Sequence, residues 1–390
     1  MKVVLISIDA LIYEDLKYFS KLKNLGSLLS HSLVIPKIKP VFPTHTYVCH
    51  SSIMTGCYPD KTGIISNTKP NGNWVWYRKE IKVPLITDIL KSHGYKTASV
   101  CFPVTAGADI DYLVPEIWGP TPDFDATNLF KESSSIEGFK YYQRYKSYLD
   151  WMRTPGMDNF AASCFKAILA ENDVDFGAVH LSYLDHQRHK VGAESKKNLK
   201  AMEFIDQKLE EILSVLSSDT TVIILGDHGH RNYSKYFSLK KALQIEGLEK
   251  YFTALDYSYM AYIKSDLDSN KAKSIISKLK DKYPIECVMT REEAKEKYHL
   301  DGDFTLALTT KDNYTFSQSD ELYSDASDNH SSHGFLSEKT PFSPLIISNY
   351  STNIKECDSV DIAPTILSLF NIKAEGMDGK VLPITPNHIH

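Results

Sequence analysis

No stretch of this 390-residue sequence approaches the roughly 20 consecutive apolar residues that a membrane-spanning helix needs, so no membrane association is expected. Cysteine is sparse and scattered. Cys49, Cys57, Cys101, Cys164, Cys287 and Cys357 include no C-x-x-C pair, which argues against a disulfide framework or a zinc knuckle and predicts free, mostly buried thiols. A surplus of positive charge is missing too. With 44 Lys and Arg against 49 Asp and Glu the net charge is −5, and no basic field points to a nucleic-acid polymer as partner. The opening "MKVVLISIDA" meets Asp9 too early to form a signal-peptide core, so a cytoplasmic location is the expectation. Internal repeats and low-complexity tracts are lacking as well. What remains is an ordinary globular composition, 42% hydrophobic and 24% charged, long enough for one large core with an insertion.

Several short β-branched runs end on polar or acidic residues: "VVLISID" (3–9), "TASVCF" (97–102), "FGAVHLSYLD" (176–185) and "TTVIILGDHG" (220–229). Near-continuous apolar runs separated by helical stretches predict a mostly parallel sheet covered on both faces. Met202, Ile205, Leu209, Ile212, Leu213 and Leu216 recur at helical spacing in "KKNLKAMEFIDQKLEEILSVLSS", which predicts a helix with one face on that sheet. "VPLITDILKSHG", stopped by Gly94, and "SVDIAPTILSLFNI" predict two more. Between Tyr233 and Asn329 the texture changes. There "YMAYIK", "SNKAKSIISKLKDKY", "REEAKEKY" and "TLALTT" predict strand, helix, helix and strand with lysine-rich solvated faces. The expected organisation is a core of residues 1–232 and 330–390, interrupted by a small α+β cap at 233–329, with "PLIISN" returning to the main sheet.

Ligands of open α/β sheets bind beyond the carboxyl ends of the strands. Three of the runs end on aspartate, namely Asp9, Asp185 and Asp227. One such residue alone reads as a helix cap or turn. Three, with His189 following Asp185 in "DHQRH", His228 following Asp227 in "GDHGH", and His333 in "NHSSHGF", read as a metal-ligand set. These six side chains exceed the needs of one ion and suit two, completed by Thr46 and by substrate or water. An ionised Thr46 side chain with the three aspartates would balance two dications, and metal fields make such nucleophiles accessible at neutral pH. His186, His230 and His330 are expected as neighbours or outer partners of the ligands, and His50 as a buried hydrogen-bonding histidine. Thr46 belongs to "VFPTHTYVCHSSIMTGCYPDKTGIISN" (41–67), where Pro43 and Thr44 are expected to enter and cap a helix from about Thr46 to Thr55, closed by Gly56. A helix N-terminus also favours an anion.

In order along the chain, these pieces resemble the nucleotide pyrophosphatase/phosphodiesterase (type I phosphodiesterase) family of the alkaline phosphatase superfamily. "ISIDA", "PTHTYVCH", "TGCYPDKTGIISN", "GADIDYLVP" and "VDIAPTILSLFNI" carry the likeness across nearly the whole sequence. The resemblance implies a three-layer α/β/α alkaline-phosphatase-like core. It also implies two divalent ions, with Zn²⁺ the expected metal. Asp185, His189 and His333 would hold one, and Asp9, Thr46, Asp227 and His228 the other. Thr46 becomes the nucleophile of a threonyl-phosphate mechanism. Asn67 and the Tyr47 backbone N–H would bind a phosphoryl oxygen.

The implied substrates are small-molecule phosphodiesters or nucleotide pyrophosphates, with phosphonoacetate-type and phosphomonoester hydrolysis as alternatives within the superfamily. A non-catalytic metal-binding relative is a further alternative. Neither the C-x-P-x-R sequence of sulfatases nor the serine-nucleophile phosphatase pattern is present. The sequence departs from the family in two places. "YVC" (47–49) replaces "FPN" after the nucleophile, and Arg188 stands where a glycine precedes the histidine ligand. Arg188 is thus open to two readings: a surface salt bridge, or a cation beside the phosphoryl group.

Overall fold

The β-branched runs pair as their composition predicts. Val3–Ile8 (β1), Leu33–Ile35 (β2), Thr97–Val100 (β3), Tyr112–Val114 (β4), Phe176–Leu181 (β5), Thr221–Leu225 (β6) and Ile346–Ser348 (β7) form one sheet of order β2-β7-β6-β1-β5-β3-β4. Five neighbours from β6 to β4 run parallel, while β7 is antiparallel to β6 and to β2. The molecule is a computed structural model describing residues 1–30, 32–121, 124–149, 154–339 and 342–386.

Side-chain alternation along β1 divides the core between two faces. Val4, Ile6 and Ile8 pack with Val179 and Ile224 under helices Thr154–Glu171 and Leu199–Leu213. Val3 and Leu5 pack with Phe176 and Leu225 under helices Thr46–Thr55 (α1), Ile86–Ser92 and Ile362–Leu369. Met202, Ile205, Leu209 and Ile212 of Leu199–Leu213 are all buried, as the spacing predicts. Each such side chain contributes roughly 1.5–3 kcal/mol by leaving water. The result is a three-layer α/β/α core with a mostly parallel sheet.

The segment after β6 adds two small sheets. Thr253–Tyr257, Met260–Lys264, Leu306–Thr310 and Ile285–Thr290 form one, antiparallel throughout, with helices Ser269–Ser277 and Arg291–Tyr298 beside it. The expected strand, helix, helix and strand are among these elements. A second sheet pairs Arg231–Phe237 with Asn313–Phe316 and Tyr323–Ser332. The expected boundaries at 232/233 and 329/330 fall inside two strands of this sheet, which pair with each other through Asn232 and Ser331. Alternating polar residues such as "RNYSKYF" carry a weak strand signal, because this ribbon has exposed faces.

No described helix is long and apolar enough to cross a membrane. All six cysteines are free, and all but the half-buried Cys287 are buried.

Gly226, which turns the chain from β6 toward Asp227, has no room for a side chain: a Cβ there would lie 1.9 Å from the Leu11 carbonyl oxygen. At Gly177 in β5 an added Cβ meets only side chains, the Phe165 ring at 2.9 Å and Leu169 at 3.4 Å. Gly226→Ala is therefore expected to lose about 1–3 kcal/mol in denaturant unfolding, and more than Gly177→Ala, because backbone yields less readily than a side chain. Equal losses would contradict this account of the turn.

Candidate active site and metal centre

The parallel register brings the carboxyl ends of β1, β5 and β6 to one rim. Asp9 follows β1 directly, and Asp227 follows β6 after Gly226. Asp227 is fixed there by the Ala10 N–H, which donates to its Oδ1 at 3.0 Å. Asp185 differs from expectation. The run ends at Leu181, and Asp185 sits in the first turn of helix Tyr183–Val191 (α2), four residues before His189 on the same helical face. Their side chains meet at 3.4 Å. Asp158, buried in a neighbouring helix, anchors the start of α2 by accepting from the Ser182 N–H at 2.8 Å, the Ser182 hydroxyl at 3.2 Å and the Tyr183 N–H at 3.1 Å. Burial pushes the Asp158 carboxyl up to about 6, against the pull of these donors.

Thr46 opens α1 as expected, and Gly56 closes it in the left-handed conformation at φ 66°. Thr44 does not cap it. Its hydroxyl donates to the Phe335 carbonyl at 3.2 Å and accepts from the Gly334 N–H at 2.9 Å, while its carbonyl accepts from His333 Nδ1 at 3.0 Å. Thr44 thus ties the distant "HGF" turn to the site. The free amide at the helix start is met by Asn67, whose Oδ1 accepts from the Tyr47 N–H at 2.9 Å. The N–H that the resemblance assigns to a phosphoryl oxygen is therefore already shared with Asn67.

Thr46 Oγ1 lies 3.2 Å from His228 Nε2. The same nitrogen lies 3.4 Å from Asp9 Oδ1 and 3.2 Å from Asp227 Oδ2, and both of these buried carboxylate oxygens lack a hydrogen-bond partner. Asp9, Asp185 and His228 bring ligand atoms within 4.8 Å of one another, and so do Asp185, His189, His230 and His333. Asp185 belongs to both groups. Burial raises the Asp9 carboxyl well above its ordinary value, and the charges of Asp185 and Asp227 add to the effect. Burial likewise pushes Asp227 up to about 7.

Desolvation holds the His228 and His333 rings down, so they present lone pairs rather than charge. Orphaned carboxylate oxygens facing neutral imidazoles make a donor set that fits divalent cations such as Zn²⁺.

A cavity of about 250 Å³ opens onto this cluster, lined by Thr46, Asn67, Asp9, Asp185, His189 and His333 and walled by Tyr47, Trp74 and Trp118. Ring centroids of Tyr47 and Trp74 are 5.4 Å apart, and those of Trp74 and Trp118 are 6.4 Å apart. Among the described residues lining it there is no lysine or arginine.

Arg188 is absent from the cavity, which corrects its placement at the phosphoryl group. It is only 1% exposed, with Nη2 on both oxygens of buried Asp15 at 2.6 and 2.7 Å. Neither expected reading of Arg188 holds, because the pair is buried rather than on the surface. Lying one position before His189 on α2, it is rotated about 100° around the helix from that ring, and its side chain reaches Asp15 instead of the cavity.

His50 is buried as expected, donating from Nδ1 to the Thr46 carbonyl and bonding Ser7 Oγ through Nε2, both at 2.8 Å. His330 Nδ1 lies 2.9 Å from the His189 carbonyl, and His186 lines the cavity.

Sequence reasoning missed a second buried relay. Glu116 Oε2 meets His180 Nδ1 at 2.7 Å, and His180 Nε2 meets Asp9 at 3.1 Å. Burial opposes a charge on His180, yet the two carboxylates together hold its pKa well above the ordinary imidazole value. Glu116 Oε1 also accepts from the Tyr47 hydroxyl at 2.8 Å and from Trp118 at 3.1 Å, which orients the aromatic wall. The signal was a polar residue in an apolar strand ("GAVHL") and an acid just beyond "YLV", at the same rim as the other carboxylates.

These features, a mostly parallel three-layer fold with an acid–imidazole cluster at its carboxyl rim, define an alkaline-phosphatase-like architecture. The family model described as type I phosphodiesterase / nucleotide pyrophosphatase matches residues 3–336, and the chain belongs to that family. Bovine (Bos taurus) bis(5'-adenosyl)-triphosphatase ENPP4 is 24% identical over 318 residues, covering 76% of this chain and 61% of the bovine protein. Human (Homo sapiens) ectonucleotide pyrophosphatase/phosphodiesterase family member 1 is 26% identical over 249 residues, 58% of this chain and 23% of that protein. The chain therefore spans less than two thirds of either relative's length. Among solved structures, murine ectonucleotide pyrophosphatase/phosphodiesterase 5 superposes with a TM-score of 0.72 at 18% identity, covering 97% of this chain and 98% of its own. Phosphonoacetate hydrolase from Sinorhizobium meliloti, in complex with phosphonoformate, superposes with a TM-score of 0.70 at 15% identity, covering 93% and 94%.

Replacing Asp158 by alanine strands two buried N–H groups and a hydroxyl at the start of α2. A loss of about 2 kcal/mol or more is expected in denaturant unfolding. Because α2 carries Asp185 and His189, bound Zn²⁺ per chain, measured by elemental analysis after dialysis, should fall as well. Asp158→Asn, which keeps one acceptor oxygen, is expected to lie between wild type and alanine.

Proposed function

We propose that this protein hydrolyses small phosphodiesters or nucleotide pyrophosphates, with Thr46 as nucleophile and two divalent ions, Zn²⁺ by donor chemistry, held by Asp185, His189 and His333 and by Asp9, Thr46, Asp227 and His228. The observation that carries this reading is the position of Thr46 Oγ1. It stands at a helix N-terminus, 3.2 Å from His228 Nε2, and faces a cavity edged by Asn67. When bound, the cations would ease ionisation of the Thr46 hydroxyl and offset charge on the phosphoryl oxygens.

The chain's own residues do the rest. Thr46 Oγ1 forms the bond to phosphorus while the ester or anhydride bond to the leaving group breaks, and water then cleaves the threonyl phosphate. Asn67 offers its carboxamide N–H groups to a phosphoryl oxygen, and the α1 terminus favours the negative charge. Tyr47, Trp74 and Trp118 supply flat apolar surface suited to a nucleobase or aryl leaving group. The names of the relatives, bis(5'-adenosyl)-triphosphatase among them, and the murine neighbour solved in complex with AMP support nucleotide substrates.

The absence of a lysine or arginine among the described lining residues favours diesters over monoester dianions, and over a phosphonate bearing a further carboxylate. The similarity to phosphonoacetate hydrolase therefore supports the architecture more than the substrate. Retention of Thr46 and of six acid and imidazole ligands argues against a non-catalytic relative. The six free thiols support a reducing compartment, the cytoplasm.

Zinc-loaded protein is expected to cleave bis-p-nitrophenyl phosphate faster than p-nitrophenyl phosphate or phosphonoacetate. A monoester preference would refute the substrate assignment, and failure on all three would refute the enzyme reading. Asn67→Ala should lower kcat by about 10²–10³-fold, the cost of one preorganised donor. Thr46→Ala should abolish the phosphoenzyme that quenched-flow labelling detects in wild type.

A further inference from the structure

We infer that His230 is a fourth protein donor to the metal held by Asp185, His189 and His333, rather than an outer partner of that centre. The ring is fully buried, with Nε2 2.6 Å from Asp185 Oδ1 and Nδ1 2.9 Å from Ser331 Oγ. The Ser331 hydroxyl proton is already committed, because Oγ donates to the Arg188 carbonyl at 2.8 Å. Ser331 Oγ must therefore accept from His230, which places a proton on Nδ1 and leaves Nε2 as a lone pair unless the ring carries a second proton. That lone pair faces a carboxylate oxygen. A 2.6 Å contact there needs a cation between the two atoms, either a second ring proton or a metal ion.

The neighbouring rings have the same polarity. His189 Nδ1 donates to the Ser331 carbonyl at 2.9 Å, and His333 Nδ1 donates to the Thr44 carbonyl at 3.0 Å. Carbonyls only accept, so both rings also turn an Nε2 lone pair inward, 3.4 and 3.8 Å from Asp185. Ring centroids lie 4.7 Å apart for His189 and His230, 5.4 Å for His230 and His333, and 5.1 Å for His189 and His333. The three imidazoles thus surround one carboxylate.

A proton on each Nε2 would crowd three cations into this triangle, whereas one shared dication serves all four donors. Donors about 2.0–2.2 Å from a tetrahedral zinc stand about 3.4 Å from one another. The 3.4 and 3.8 Å separations of His189 and His333 from Asp185 lie near that spacing, and the 2.6 Å contact of His230 lengthens by about 0.8 Å when the ion enters. The fixed Nδ1–H bonds are also the outer contacts that orient metal-binding histidines. One aspartate and three histidines would give the ion four protein donors, one more than Asp185, His189 and His333 supply.

This inference rests on the metal-binding part of the proposed function and not on the reaction. The test uses the full chain with histidine-selective ¹⁵N labelling and Co²⁺ in place of zinc. Each ligating ring contributes one hyperfine-shifted, exchangeable Nδ1–H signal. Four are expected, from His189, His230, His333 and His228. In His230→Gln one signal disappears, the Co²⁺ visible spectrum changes, and competition with a chromophoric chelator shows one of two Zn²⁺ ions weakened by more than about 100-fold. Loss of an outer partner alone costs about 10–100-fold. A loss within that range, with the spectrum and signal number unchanged, overturns the inference. So do three signals in the wild type, a measurement that stands if the variant fails to fold. A chain that takes up neither Co²⁺ nor Zn²⁺ refutes the centre and this inference together, whereas uptake with three signals overturns this inference alone.

Discussion

The site depends on the parallel pairing of β1 with β5 and β6, which ends three strands at one level. Hydrogen bonding between these strands fixes Val3 opposite both Phe176 and Thr221, so the residues that follow each strand must converge. A one-residue slip would exchange the two faces and place Asp9 and Asp227 out of reach of each other. Burial of the carboxylates is the electrostatic counterpart of this register. Left alone they repel and shed charge; cations between them would offset that repulsion.

Much of this was legible in the sequence because it follows from periodicity and from residue type. The apolar runs, the helical stripe of Met202 to Ile212 and the left-handed stop at Gly56 are local signals, and the structure follows them. The convergence of Asp9, Asp227 and His228 was legible for a different reason, since strand ends in an open α/β sheet have nowhere else to project. What stayed hidden involved long-range partners. Thr44 looks like a helix cap but serves residues 289 to 291 positions away in the chain. Arg188 looked like a candidate for the site by its neighbours, yet helical geometry turns it toward Asp15. Asp185 looked like a strand end, but an early chain reversal at Ser182 set it on a helix, where its partner is four residues on.

Glu116 and His180 show how one polar connection can serve two purposes. The carboxylate joins the rim to the aromatic wall, through His180 and Asp9 on one side and through Tyr47 and Trp118 on the other. Charge at the acid–imidazole cluster and orientation of the surface above it are therefore mechanically connected. The unusual "YVC" after Thr46 belongs to this connection, because the tyrosine hydroxyl is what reaches Glu116.

Ser331 has a comparable dual role. Its carbonyl fixes His189, its hydroxyl fixes His230, and its strand pairs with Arg231–Phe237, the root of the outer segment. The outer segment is consequently not a detachable module. Anyone who replaced residues 233–329 with a short linker, to obtain a minimal scaffold, would unpair the ribbon that aligns these rings and so lose the centre along with the cap.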